Sequence, residues 1–445
     1  MVSITRALEQ VKSGLGAMLE PAAIERICRA CGHTWRDGCL TPWATIHLFI
    51  LQIIHGNTAC THLPHLSGMD FTASAYCQAR MRLPLDVLAT LVANAGAWMQ
   101  RATQGGAGLW RGLRTILIDG SSFSMPDTPA LQARFGQPGG QKKGCGFPVA
   151  HLLAAFDGAT GLIVDLIAAP LRTHDMANVH RIIPYLLPGD LVVADRGFCS
   201  YAHFALLAQA GMYGCFRMHQ RRMVNFAGSS KRANRRQPYS KRLKKFGKCD
   251  QLVEWRKPQQ APRWLDEDAF ARLPETIQIR ELAFDVSQPG FRVRNVILAT
   301  TLLDAVRYPA DELAVLYRTR WQAETNLRHL KTTMGMETLK CKRVEGVLKE
   351  LWVYALVYNL VRIIMLKAAH RQQVGIERIS FADALRWLAV AVHHAQRELR
   401  SLVVLPNRPD RIEPRVVKRR PKSYSLMTKP RSHLRQLLLT QRDVA

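Results

Sequence analysis

Between residues 106 and 200 short apolar runs alternate with turns, and this order limits the possible folds more than any other feature of the chain. Three runs rich in β-branched and apolar residues predict strands, and the last two are joined by the turn DGATG. These runs are LRTILIDGSSFSMPD, FPVAHLLAAFD and GLIVDLIAAP. Three adjacent strands of this kind predict an antiparallel meander.

A helix and a fourth strand follow the meander. DMANVHRIIPYLL has helical periodicity with Asp175 as its N-cap, and PGDLVVADRGF contains a short, fully apolar strand. The predicted order is βββαβ, with Asp119 at the end of the first strand and Asp195 at the end of the fourth. Taken alone, either aspartate is explained equally well as a turn residue at the end of a strand and as a functional carboxylate.

The charge of the chain indicates a polyanionic partner. The formal net charge is +28 and the sequence pI is near 10.2, far more than solubility requires. Nucleic acid is the first candidate and a membrane surface the second. MVSITRALEQ lacks the apolar core of a signal segment, and the apolar stretches 48–54 and 351–366 are too short or carry Arg362, so we expect a cytoplasmic protein without a membrane partner.

The ten scattered cysteines predict free thiols without structural disulfides.

The N-terminal part reads as a helical module, with apolar periodicity over 22–31, 41–55 and 85–99. The segment SAYCQARMRLP, with Gln78, Arg80 and Arg82, is a candidate DNA-reading helix, although other polar helix starts look similar.

Near the N-terminus, Cys28, Cys31 and His33 have part of a zinc-ligand spacing. No second pair follows, so buried thiols are the favoured interpretation.

After a helix in YAHFALLAQAG and a strand in MYGCFRM, the composition becomes strongly basic. Residues 217–248 hold twelve Lys or Arg and no acid, interleaved with aromatic residues. Alternating runs then predict strands, so the stretch to about residue 304 is interpreted as a mostly β insertion with a basic arm. Trp255 and Trp264 lie in it, either as core residues or as rings available to DNA.

The segment LAVLYRTRWQAETNLRHLKTTMGMETL predicts one amphipathic helix. Steps of three, four and seven residues place Tyr317, Arg320, Glu324 and Lys331 on one face, at about 100° per residue. An apolar stripe lies beside them and should pack on a core. It comprises Leu316, Ala323, Leu327, Leu330 and Met334. Alone, such a charged helix is more often a solvated face.

Three carboxylates now stand out: Asp119, Asp195 and Glu324. In a protein that binds a polyanion they would repel phosphate, and a divalent metal resolves this conflict. Hard oxygen donors suit Mg²⁺ or Mn²⁺, and two such ions activate an attacking hydroxyl and stabilise a leaving oxygen.

The spacing of Tyr317, Arg320, Glu324 and Lys331 matches in full the signature of the insertion sequence 4 family of DDE transposases. IDGSSF around Asp119 and VVADRGF around Asp195 resemble the family's first and second acidic motifs. The resemblance implies a ribonuclease H-like catalytic core interrupted by a β insertion, and cut-and-paste transposition of DNA. The second motif departs from longer acidic variants, since no acid follows Asp195 in it.

By the same resemblance, Asp119, Asp195 and Glu324 would coordinate two Mg²⁺ or Mn²⁺ ions. DNA contacts are expected from a wider set. Its members are Tyr317, Arg320 and Lys331 on phosphates, Trp321 in an Arg-Trp pairing, Trp264 holding an extruded base of a DNA hairpin, and the loop residues Lys142 and Lys143.

The predicted fold class is α/β, with five segments. They are a helical N-terminal DNA-binding domain (1–105), the first part of the catalytic core (106–200), the mostly β insertion (201–304), the second part of the core with the glutamate helix (305–370) and a helical C-terminal region with a basic tail (371–445). Helices are expected over 351–369 and 381–399. The arm at 217–248 and the tail at 408–435 should supply phosphate contacts and make DNA binding depend on salt.

The function expected is a DNA transposase that binds the inverted repeats of its own element, cuts there and joins the ends to target DNA. The partners implied are double-stranded DNA and a second copy of the chain in the DNA complex, on the bacterial nucleoid. Two alternatives stay open: a metal-dependent nuclease of the same fold, and an inactive transposase-derived DNA-binding regulator. The intact set of carboxylates argues against the regulator.

Overall fold

A nine-stranded mixed sheet organises the fold in the computed structural model, which describes residues 19–102, 108–171, 173, 178–227, 240–285, 295–391, 402–406 and 427–442. The strands are β1 Thr115–Ser124, β2 Val149–Asp157, β3 Ile163–Pro170, β4 Leu191–Ala194, β5 Tyr213–Arg217, β6 Ser240–Gly247, β7 Asp250–Arg256, β8 Thr276–Asp285 and β9 Asn295–Thr300.

The spatial order of the strands is β3-β2-β1-β4-β5-β9-β8-β7-β6. The first three strands form the predicted antiparallel meander. Strands β1, β4 and β5 are parallel neighbours, and the remaining pairs are antiparallel. Because β9 pairs with β5, the strands that follow the basic arm extend the same sheet rather than forming a second one.

Two local predictions are wrong. Asp119 is the fifth residue of the ten-residue β1, not its end, because β1 continues beside β2 as far as Ser124. The α-helix expected over 175–187 is replaced by two 3₁₀ turns, Val179–Arg181 and Ile183–Tyr185. Pro184 has no backbone N–H to continue a helical ladder there. The predicted cap Asp175 lies outside the described residues.

The helices confirm the periodicities in the N-terminal part and after the insertion. They are α1 Pro21–Ala30, α2 Pro42–Ile54, α3 Leu63–Ser67, α4 Ala73–Arg82, α5 Leu85–Ala102, α6 Pro129–Phe135, α7 Tyr201–Gln209, α8 Glu267–Ala271, α9 Ala310–Thr319, α10 Trp321–Arg328, α11 Val344–Gln372, α12 Phe381–Ala391 and α13 Arg431–Arg442. The expected continuation of α12 to residue 399 lies outside the described residues.

Side-chain alternation along the central strands gives the sheet two buried faces. Ile118, Ala194 and Phe216 pack in a core that α7 covers. Leu117 and Val193 point the other way, into a larger core shared with the N-terminal helices and with α9 to α12. The odd-numbered positions of β1 therefore face the helices that follow the insertion.

Helix α11 is the axis of the larger core. It is 29 residues long and apolar enough to cross a membrane, but 83% of its most apolar window is buried inside the protein, as in a core helix. The Asn359 side chain accepts from the Ile163 N–H and donates to the Ile163 carbonyl, which joins the helix to β3. Arg362 donates to the Thr160 carbonyl at the turn before that strand.

Polar contacts hold the N-terminal helices against α11. The Arg80 guanidinium donates to Gln52 and to the Cys341 sulfur, and it lies 4.0 Å from the ring centroid of Phe49. The Lys349 ammonium donates to the carbonyls of Arg80 and Met81. Arg80 is therefore half-buried and held by these contacts, and the expected DNA-reading role of this helix stays a prediction.

The ten cysteines all lie among the described residues and are free thiols. Cys28 is buried, as the thiol interpretation expects, whereas Cys31 and His33 are half-buried.

We predict that Arg80→Met and Arg82→Met, two positions apart on α4, have different effects on stability. The Arg80 change leaves the partners of its guanidinium unpaired and should cost about 2–4 kcal/mol. The Arg82 side chain is exposed, so its replacement should change stability by less than about 0.5 kcal/mol. Urea unfolding of the two variants measures the difference. Equal shifts of the urea unfolding midpoint in the two variants would contradict a stabilising role for the contacts of the Arg80 guanidinium.

Candidate active site

The register of the parallel strands brings the two aspartates together. Ile118 of β1 pairs with Ala194 of β4, so Asp119 and Asp195, the next residues, lie side by side. The parallel pairing stops at this point, and β1 continues against β2 alone. Opening of the sheet beyond the last pair leaves room beside both carboxylates, as is common at the carboxyl ends of parallel strands.

The face on which these carboxylates lie is set by alternation. Asp119 follows Leu117 at a spacing of two, and Asp195 follows Val193 in the same way, so both aspartates lie on the face of the larger core. Helix α10 packs on β1 at this face and carries Glu324. Three acids that are far apart in sequence thus meet at one edge of the sheet.

The glutamate segment is helical but not regular. Helix α9 ends at Thr319, α10 begins at Trp321, and a π-helical turn spans His329–Thr333. The predicted apolar stripe is confirmed, since all of its members are buried. Tyr317 and Arg320 are also buried, whereas the Glu324 side chain is 43% exposed and Lys331 is half-buried.

Arg320 lies between two of the carboxylates. Its Nη2 donates to Glu324 Oε1 at 2.9 Å, and Nη1 lies 3.7 Å from Asp119 Oδ2. Its Nε is buried and has no partner among the described residues. The guanidinium is therefore held mainly by the charges of Glu324 and Asp119, and its buried Nε makes no hydrogen bond among the described residues.

Burial raises the pKa of the Asp119 carboxyl to about 6. The Arg320 guanidinium and the Gly120 N–H, which donates to Asp119 Oδ1 at 2.9 Å, oppose this rise. The nearby charges of Glu324 and Asp195 add to it. The carboxylates thus interact electrostatically, and the position favours an added positive charge.

Burial also raises the pKa of the Tyr317 hydroxyl well above its usual range, and Asp195 adds to the rise while Arg320 and Arg217 oppose it. The phenol is therefore a neutral donor at every physiological pH. Burial alone would lower the pKa of Arg320, but Tyr317 and Glu324 outweigh it, so the pKa is raised and the guanidinium stays charged.

The oxygen donors of Asp119, Asp195 and Glu324 suit a hard divalent cation. Within the described ranges, however, the three do not close on a common point at metal-binding distance. The position of Arg320 explains this, because its guanidinium pairs with two of them. The donor set fits Mg²⁺ or Mn²⁺ in chemistry, and a bound cation would compete with Arg320 for the oxygens of Asp119 and Glu324.

The tryptophans named from the sequence differ in position. Trp321 is 40% exposed and lies beside the Arg320 guanidinium, 5.1 Å from it. Trp264 is half-buried, and its ring stacks on His203 at 4.6 Å and on His180 at 5.4 Å. Trp255 is fully buried in the sheet core, and its Nε1 donates to Glu281.

Lys142 and Lys143 are exposed on a loop beside the start of α13. The Arg431 N–H donates to the Gly144 carbonyl there, and the Arg431 guanidinium pairs with Asp127 at 3.3 Å. The two lysines are therefore outside the group that surrounds Asp119, and their expected role in DNA binding stays a prediction.

Arg217 was missed by the sequence interpretation. Phe216 of β5 pairs with Ala194 of β4, so Arg217 continues the row formed by Asp119 and Asp195. A signal was present, because MYGCFRM is a strand that directly follows the helix after the second aspartate. The position of Arg217 relative to the aspartates follows only from the register of β5 on β4.

Comparisons with known proteins agree on one family. The protein-family model described as "Transposase DDE domain" matches residues 110–360 of this chain. Transposase InsG for insertion sequence element IS4 of Escherichia coli (strain K12) is 28% identical over 371 residues, 79% of this chain and 77% of the relative. The putative transposase InsZ of the same organism is 27% identical over 154 residues, 33% of this chain and 49% of the relative.

A cryo-EM structure of the piggyBac transposase synaptic complex with hairpin DNA matches 87% of this chain and 80% of that chain. The TM-score is 0.45 and the sequence identity 11%.

We predict that Asp119→Asn stabilises the metal-free protein at pH 8. The ordinary pKa is 3.8 and the folded one about 6, so the folded state binds more protons between these values and loses stability as the pH rises through them. Above pH 7 the wild type should be less stable than the variant by roughly 1–3 kcal/mol, and below about pH 4 the two should converge.

Thermal unfolding in EDTA from pH 4 to 8 measures this, and added Mn²⁺ should stabilise the wild type more than the variant. A wild type that is the more stable protein at pH 8 in EDTA would contradict the burial of this charge.

Proposed function

Because the chain belongs to the insertion sequence 4 family of DDE transposases, we propose that it cuts DNA at the ends of its own element and joins them to target DNA. The observation that carries this proposal is the meeting of Asp119, Asp195 and Glu324 at one sheet edge. They come from two parallel strands and a helix that follows the insertion. A chain that only bound DNA would have no use for three acids at this edge.

The proposed fold type is a ribonuclease H-like core. The order β3-β2-β1-β4-β5, with an antiparallel meander followed by two parallel neighbours, supports it. The five segments with boundaries near 105, 200, 304 and 370 remain the proposed division of the chain. The strands of 240–300 would then be an insertion that extends the core sheet at the side of β5.

In this proposal Asp119, Asp195 and Glu324 hold two Mg²⁺ or Mn²⁺ ions. When bound, such ions generate the attacking hydroxyl and stabilise the leaving oxygen of the phosphodiester. The chain's own residues position the DNA. Arg320 would offer its planar fork of donors to phosphate once metal takes its place beside the carboxylates.

Two further residues of the signature would complete the phosphate contacts. Tyr317 supplies a hydroxyl that remains neutral beside the carboxylates, and it therefore does not compete for the metal. Lys331 is a half-buried point charge two turns after Glu324, which suits a contact with a phosphate near that carboxylate. Trp321, exposed next to Arg320, would pack against the sugar or base beside that phosphate.

The excess of positive charge supports double-stranded DNA as the partner, both as element ends and as target. Residues 228–239 of the basic arm and most of the tail, 407–426, lie outside the described residues, and the phosphate contacts of both segments stay predictions. A homodimer on DNA and a place on the nucleoid in the cytoplasm are proposed from the family to which the chain belongs. Trp264 as the holder of an extruded base also remains proposed, and its ring would first have to leave two histidines.

We predict that Asp195→Asn and Glu324→Gln abolish strand cleavage but leave binding of the element's ends nearly unchanged. The reason is that the carboxylates act through metal, whereas affinity comes from Lys and Arg. Asp86→Asn and Glu267→Gln, at exposed acids on α5 and α8, are the matched controls and should cleave normally. Denaturing gels of end-labelled flanking DNA with Mg²⁺ or Mn²⁺ give cleavage, and mobility shift gives binding.

The same reaction with a supercoiled target plasmid separates the alternatives. A transposase joins labelled ends to the plasmid, a nuclease only cuts, and an inactive regulator only binds. Cleavage above background by either variant would remove that residue from the site.

A further inference from the structure

Two cysteine sulfurs meet where helix α4 packs on the 3₁₀ turn Cys60–His62. The Sγ atoms of Cys60 and Cys77 lie 3.7 Å apart, although the two residues are 17 positions apart in sequence. A disulfide is about 2.05 Å long, so the sulfurs would have to approach by about 1.7 Å. Cys77 is exposed, so its side chain can turn toward Cys60 without displacing a packed neighbour. The fold therefore holds two thiols within reach of a covalent bond.

The surroundings of the two sulfurs differ. The Cys60 sulfur is half-buried and has two further donors beside it, Gln52 Nε2 at 3.9 Å and Arg80 Nη1 at 4.0 Å. Gln52 is itself fixed, because its Oε1 accepts from Arg80 and from the Tyr76 hydroxyl. Burial raises the pKa of the Cys60 thiol, and the charge of Arg80 opposes that rise. Cys60 is thus held in place by its neighbours, and Cys77 is the thiol that meets solutes first.

The segment between the two cysteines, which we call the 60–77 lobe, has a small core of its own. Leu63, Phe71 and Tyr76 are buried in it together with Leu48 of α2. This cluster is distinct from the two cores on the faces of the sheet. A bond between the two end sulfurs would join the ends of the lobe around this core. Such a cross-link removes open conformations of the lobe and so favours the closed one.

We propose that Cys60 and Cys77 form a redox-sensitive site, which a hydroperoxide closes to a reversible disulfide. The Cys77 thiolate attacks one oxygen of hydrogen peroxide, the O–O bond breaks, and the products are the Cys77 sulfenic acid and water. The Cys60 thiolate then attacks the Cys77 sulfur, the S–O bond breaks, and the departing hydroxide takes up the proton that Cys60 released. Two electrons pass in total from the two thiols to the peroxide.

The site would act as a temporary clasp on the 60–77 lobe. In a reducing compartment small thiols reopen such a bond by exchange, so the disulfide would persist only while oxidant is present. The proposal uses none of the three carboxylates and does not depend on the proposed function.

Peptide mapping of the full-length protein tests the bond. The reduced wild type, freed of reductant, is treated with an equimolar amount of hydrogen peroxide and then with N-ethylmaleimide. Residues 61–76 contain no Lys or Arg, so chymotrypsin is used to separate the two cysteines. Mass spectrometry without reduction should show the peptides of Cys60 and Cys77 joined with the loss of two hydrogens, and dithiothreitol should restore both thiols.

Serine variants separate the two roles. Cys60→Ser should lose the cross-link and leave Cys77 as a sulfenic acid that a 1,3-dione probe traps, whereas Cys77→Ser should lose both the cross-link and this adduct. Cys39→Ser and Cys249→Ser remove exposed thiols elsewhere and are the matched controls. Both controls should form the cross-link as the wild type does.

Hydrogen exchange measures the effect on the lobe. In the oxidised wild type, amide exchange over 61–76 should slow by roughly 10- to 100-fold relative to the reduced protein. Peroxide-treated Cys77→Ser should keep the rates of the reduced protein, and the amides of α7 should exchange equally in every sample.

Three results would overturn the inference. The first is oxidation of Cys77 to sulfinic acid while Cys60 remains a free thiol. The second is a cross-link of Cys77 mainly to another cysteine, within the chain or between chains. The third is a Cys60–Cys77 bond that leaves exchange over 61–76 unchanged, which would remove the clasp. The cleavage and joining assays of the proposed function are run in reductant, so their outcome is independent of all three.

Discussion

Three carboxylates gathered at one partly buried edge repel one another, and the positive charge that offsets this repulsion is the constraint on which the site depends. Without metal, Arg320 provides it, 2.9 Å from Glu324 and 3.7 Å from Asp119. A divalent cation would compete for the same carboxylate oxygens. In the proposed function, metal binding and the movement of Arg320 toward a DNA phosphate are therefore coupled. The same side chain would then neutralise the carboxylates in the metal-free protein and contact phosphate in the metal-bound one.

Much of this site could be predicted from local pattern. The order of apolar runs specified the meander and the later short strand, and the helical spacing around Glu324 specified the buried stripe. The adjacency of Asp119 and Asp195 could not be derived in this way, because it depends on the pairing of Ile118 with Ala194 across some 75 residues. Arg217 was missed for the same reason, since its importance lies in its register on β5.

The position of Arg80 could be predicted only in part. Tyr76, Ala79 and Leu83 recur at helical spacing and mark the buried side of α4. The half-buried Arg80 lies beside them, and its guanidinium bonds Gln52 of α2 and the Cys341 sulfur far along the chain. Local pattern does not contain these long-range contacts, which hold Arg80 while Gln78 and Arg82 are exposed.

The residues between the glutamate helix and α11 join the carboxylate edge to the larger core. They bond to β1 beyond Asp119 at Ser124. The carboxyl group of Glu350 accepts from the N–H groups of Lys340 and Cys341, and α11 holds Glu350 within the larger core. The strand that carries Asp119 and the segment that follows Glu324 therefore rest on one packed support, so the backbone of the proposed metal ligands is positioned by packing before DNA binds.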